Sequence, residues 1–134
     1  MTVELSWERT YRVLKLAFHG EFTAEDLDAI DPALLRFMAG AGREIDGMRC
    51  LYDMTAVTAL AVPPGRFAHR AQMPPPLQFG RVVVPFAGAP ADFGKSYREM
   101  RGATAHQQPL IVPTLEIAYG YLGIEGVPHF EAVN

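Results

Sequence analysis

Cysteine is almost missing from this chain: Cys50 is the single one in 134 residues. One thiol excludes an internal disulfide framework and a cysteine-rich zinc site. Serine is nearly as scarce. Ser6 and Ser96 are the two present, and neither stands in the G-x-S-x-G setting of an esterase nucleophile. The chain also lacks an excess of positive charge, with Lys+Arg 12 against Asp+Glu 15 and a net charge of −3. That balance argues against a protein whose main task is gripping nucleic acid. Long hydrophobic runs are absent too. The apolar run at residues 82–91 is short and holds two prolines, too little to span a bilayer. The opening residues Thr2, Glu4, Glu8 and Arg9 do not follow the basic-then-apolar plan of a secretory signal. A cytoplasmic protein is therefore expected, with at most peripheral membrane contact.

What is present describes one ordinary domain, residues 1–134, with a core over about 3–123 and an irregular tail over 124–134. Val3, Leu5 and Trp7 alternate with Glu4, Ser6 and Glu8, and after a short polar break Leu14, Leu16 and Phe18 resume the pattern. This predicts an antiparallel hairpin whose second strand ends at Gly20. Thr23 followed by Glu25 and Asp26 reads as a helix start, and Leu27, Ile30, Leu34, Phe37 and Met38 form its apolar stripe. Asp31-Pro32 predicts a kink or a restart, and Gly40 with Gly42 closes the helix. Gly40-Ala41-Gly42 follows a helix and lacks a third glycine, so it is a cap and not a dinucleotide loop.

Residues 48–54 read as a buried strand ending in an acid. Residues 66–72 suit a short helix, 81–86 a strand buried on both faces, and 92–104 a further helix. A short strand at 110–112 and a helix capped by Thr114 complete the order β-β-α-β-α-β-α-β-α. The expected fold class is α/β: a mixed, mainly parallel sheet of about five strands, opened by an antiparallel hairpin and covered by about four helices.

The run Asp53-Met54-Thr55-Ala56-Val57-Thr58-Ala59-Leu60 resembles the strand-to-helix segment of STAS domains, the anti-sigma-factor-antagonist-like family. Residues 20–26 and Asp31-Pro32-Ala33-Leu34 resemble the first helix of the branch lying near the Sec14/CRAL-TRIO lipid-binding proteins, and residues 111–122 its closing strand and helix. The resemblance implies a STAS-like fold over about residues 3–123 and a regulatory, SpoIIAA-like binding role. It departs from the family's switch. Ala61, Val62, Pro63 and Pro64 stand where a switchable member carries its phosphorylatable serine, and none of them has a hydroxyl to accept the charge.

Several residues are candidates for chemistry. Asp53, at the carboxyl end of an expected central strand, could orient a ligand or hold a loop together with Thr55 and Thr58. It could equally accept hydrogen bonds from the turn that follows it. Arg66, His69 and Arg70 fall at i, i+3 and i+4 after Pro63-Pro64-Gly65, a pattern that suits an anion or a solvated basic face. Lys95, Arg98 and Arg101 repeat the basic pattern on the next expected helix. Phe67, Met73, Phe79 and Tyr97 could line an apolar pocket under residues 63–80, or simply fill the core. The histidines at 19, 69, 106 and 129 lack metal-ligand spacing, so no metal and no cofactor is expected. Cys50 reads as a packed thiol.

No nucleophile, metal set or acid pair can be assembled from spacing, so the reading is not an enzyme. Two functions remain. One is a non-catalytic binding module acting through a protein partner or through self-association, for instance as a homodimer. The other is a small-molecule or lipid carrier with an Arg66/His69/Arg70 mouth for an anionic ligand.

Overall fold

A computed structural model describes residues 3–63, 65–66, 80–84 and 110–133. The opening alternation produces β1 (Glu4–Glu8) and β2 (Val13–Thr23), antiparallel, with Glu8 opposite Val13 and Glu4 opposite Ala17. Arg12 turns the chain at φ 54°, a left-handed conformation unusual for a residue with a side chain, and its guanidinium donates to the Asp46 carbonyl at 2.6 Å. Gly20 does not end β2, as the sequence suggested. The strand runs on to Thr23, and Gly20 takes φ 72° at a register shift with the next strand.

Helix α1 (Ala24–Ala41) begins in a full capping box, in which the Thr23 hydroxyl accepts from the Asp26 amide and the Asp26 carboxylate accepts from the Thr23 amide. Such a cap contributes about 1 kcal/mol. Of the kink or restart expected at Asp31-Pro32, the restart does not occur: α1 is one helix with Pro32 inside it. Proline removes a single backbone donor. The stripe on both sides of it, Leu27 and Ile30 before, Ala33 and Leu34 after, is buried against one sheet face.

Strand β3 (Arg49–Ala61) is much longer than expected. Its first part pairs with β2 in parallel register, Leu14 with Cys50 and Ala17 with Asp53. Beyond Asp53 the strand continues, which corrects the reading of an acid that ends it. The register with β2 shifts twice, between Ala17 and His19 and between Gly20 and Glu21, and each shift adds one residue on β3. The Asp53 carboxylate accepts from the Thr55 amide at 3.0 Å and its hydroxyl at 2.6 Å, beside the first shift. Because of the two extra residues, Met54, Val57 and Leu60 all reach the same core although they are three apart.

Strands β4 (Arg81–Val84) and β5 (Leu110–Ile111) add in parallel beyond β3, and helix α2 (Leu115–Tyr121) follows with Thr114 as its N-cap. The tail corrects the sequence reading. It carries β6 (Glu131–Ala132), which pairs antiparallel with β1, Ser6 opposite Ala132 and Trp7 opposite Glu131. The sheet therefore has six strands in the order β5-β4-β3-β2-β1-β6, where about five were expected. The described residues hold two α-helices, not the four expected. The helices read at 66–72 and 92–104 lie outside them, apart from Gly65 and Arg66, whose backbone is helical.

Each sheet face has its own core. Leu14, Leu16, Phe18, Cys50, Tyr52 and Val83 pack against α1. Val13, Leu51, Val82, Val84 and Val112 pack on the other side against Ala118, Leu122 and Ile124. Among the described residues no helix is long and apolar enough to cross a membrane.

Candidate binding groove at the β1–β6 edge

Strand β6 is short and α2 packs at the β4 end of the sheet, so among the described residues the sheet is thinly clothed around β1. There an open groove of about 690 Å³ runs round the edge. On the α1 side it is lined by Val3, Leu5, Ala33, Arg36, Phe37 and Val133. On the opposite side strand alternation places Glu4, Ser6, Lys15, Ala17, Phe130 and Ala132. One side is thus apolar with a single guanidinium, and the other is mixed in charge.

The tail that forms the outer wall is tied down at several points. Glu8 is buried, at 3% exposure, and its carboxylate accepts from the Thr10 amide at 2.9 Å and from the His129 amide. The Tyr11 hydroxyl meets the backbone of Glu125, and the Arg49 guanidinium donates to the carbonyls of Tyr11 and Leu122. The Lys15 ammonium lies 4.6 Å from the centroid of the Phe130 ring, which in turn sits 6.3 Å from the Tyr119 ring. Glu4 and His19 approach to 3.5 Å across the exposed strands. Lys15 and Arg36 have no acidic partner among the described residues.

Tyr119 bears on the same face. Its phenol is pushed above the ordinary value, first by burial and then by the negative charge of Asp53. Folding thus favours the neutral phenol. That contribution is complete below pH 10, where the unfolded chain also keeps its proton, and it is lost as pH climbs through the higher folded value. Asp53→Asn removes the second cause, so the Tyr119 titration should move back toward 10. Absorbance titration at 295 nm against a Tyr119→Phe blank checks this, and an unmoved curve refutes the influence of Asp53.

The residues expected from sequence are distributed differently. Asp53 and Thr55 are together and secure the irregular stretch of β3, while Thr58 is exposed further along that strand. Arg66 is paired with Asp28 of α1, so its guanidinium is already neutralised, and that contact raises its pKa, hydrogen bond first and charge second. His69, Arg70, Lys95, Arg98, Arg101, Phe67, Met73, Phe79 and Tyr97 lie outside the described residues, as does most of the expected pocket under 63–80. Lys15, Arg36 and Phe130 are not candidates in the sequence, and Phe37 reads there only as part of the apolar stripe of the first helix. They come from β2, α1 and the stretch before β6, three distant parts of the chain that no spacing rule joins.

Among the described residues no cluster of three or more His, Cys, Asp or Glu is placed to hold a metal ion, and Cys50 is buried. No family model matches the chain, and no curated protein is similar to it.

Proposed function

We propose that the chain is a non-catalytic binding module of the cytoplasm that engages a protein partner, and that the groove at the β1–β6 edge is its docking surface. The observation that carries this reading is the pair of cations, Lys15 and Arg36, which flank an open groove of about 690 Å³ with no acid paired to either among the described residues. A sheet edge with half-exposed Val3, Leu5, Phe37 and Val133 offers area, and the two cations offer orientation. The STAS-like resemblance supports a binding role, and Ala61 to Pro64 support one that is not gated by phosphoserine. A carrier with Arg66 at its mouth gains no support from the Arg66–Asp28 pair.

A photo-crosslinking side chain at the exposed position Ala132, with a control at the exposed Glu116 on α2, tests the reading in cells. A discrete adduct should form from position 132, be absent from position 116, and vanish in the Lys15→Glu/Arg36→Glu double variant. Adducts that are equal at both positions, or indifferent to the charge reversal, overturn it.

A further inference from the structure

Resting on that reading of the groove, we propose that its α1 side receives a partner segment in which a carboxylate stands next to a large apolar side chain. The polar side chain that lines that side, Arg36, is a donor with no acid paired to it among the described residues. Arg36 has five N–H donors and no acceptor. Its helical neighbours at i±3 and i±4 are Pro32, Ala33, Ala39 and Gly40, none of them acidic. Glu131 lies on the same side of β6 as Val133 and makes no ion pair with Arg36. The acid that lines the groove, Glu4, is on the opposite face beside His19.

Trp7 lies behind the α1-side wall and reports on it. It is buried at 7% exposure, on the same face of β1 as Leu5, and its ring centroid is 5.1 Å from that of Phe37. Its indole Nε1 is buried with no hydrogen-bond partner among the described residues. Trp7 itself does not line the groove, but the Phe37 ring on which it packs does, so its indole lies directly behind the apolar wall. The remaining wall is aliphatic or aromatic, with Val3, Leu5, Ala33, Phe37 and Val133. The complementary ligand brings its own acceptor and an apolar chain attached to it. Carboxylate on guanidinium gives the directional contact, and the apolar chain gives the area.

The test selects a phage-displayed library of random twelve-residue peptides on the full chain. Synthetic copies of the enriched sequences are then titrated while following the emission of Trp7, the single tryptophan of the protein. Enriched sequences should place Asp or Glu within two residues of Leu, Ile, Phe or Trp. Arg36→Gln should weaken binding about tenfold with an unchanged melting curve, and changing the peptide's acid to its amide should cost about as much. In the combined case the two losses should not add. Enriched peptides without an acid, equal binding by Arg36→Gln, or an empty selection overturn the proposal. If the adduct at position 132 persists in that event, the docking surface stands and only its ligand chemistry falls. Decanoate is titrated in parallel, and Arg36-dependent binding of decanoate without any peptide binder overturns the proposal in favour of a free aliphatic acid.

Discussion

Replacing Glu8 by alanine should lower the unfolding free energy by about 3 kcal/mol. The carboxylate is buried and accepts two backbone amides, Thr10 in the hairpin turn and His129 in the tail. Hydrogen bonds to a charged group contribute about 1.5–3 kcal/mol each, and truncation leaves both amides without their acceptor. Part of the loss is recovered because the turn amide can reach water, so the sum is less than twice a single bond. Glu8→Gln keeps an acceptor and should lose roughly half as much. Urea unfolding gives the free energy, and amide exchange locates it. Exchange should accelerate at residues 129–133 in Glu8→Ala and stay unchanged in β3. A loss below about 1 kcal/mol, or exchange that rises evenly over the sheet, contradicts the view that one carboxylate holds the tail to the hairpin.

Leu16→Ala should cost about 3–4 kcal/mol, by a different mechanism. Leu16 is fully buried in the middle of β2, with Leu5 and Tyr52 beside it in register and α1 above. Its neighbours belong to paired strands and cannot collapse into the space, so the cavity term adds to the lost transfer energy. Leu35, half exposed on the outer side of α1, is the control, and Leu35→Ala should change stability by less than about 0.5 kcal/mol. Parallel denaturant curves of equal slope check both. Similar losses at the two sites would mean that the α1-side core does not carry the fold.

Much of this architecture is written locally. The alternation of Val3, Leu5 and Trp7, the Thr23–Asp26 cap and the stripe of α1 each declare one element and its buried face. The second half of β3 does not. Met54, Val57 and Leu60 recur every third residue because two register shifts each add a residue, and a three-residue apolar period reads as the approach to a helix. Glu8 alternates correctly as a polar residue, yet it is buried, since what covers it comes from the far end of the sequence. Strand β6 is too short for any period, and it exists because β1 offers an edge. The groove inherits the same difficulty. Arg36 looks like one more surface arginine until β1 and Val133 are set beside it. Arg66 shows the converse, a basic residue with a functional spacing that is used internally by Asp28.

Strand β1 is flanked by β2, which follows at once, and by β6, which pairs from Ser6 across to Ala132. During synthesis β1 and β2 can meet early, whereas the other neighbour of β1 emerges only after α1 and the remaining described strands. Closing so long a loop for so few ladder bonds is slow, and nothing local speeds it. A newly made chain therefore passes through an interval in which its first strand is half wet and its sheet has an unguarded rim. The Glu8 carboxylate waits through that interval for the His129 amide, so the rim stays open to other chains until the stretch carrying β6 has been made.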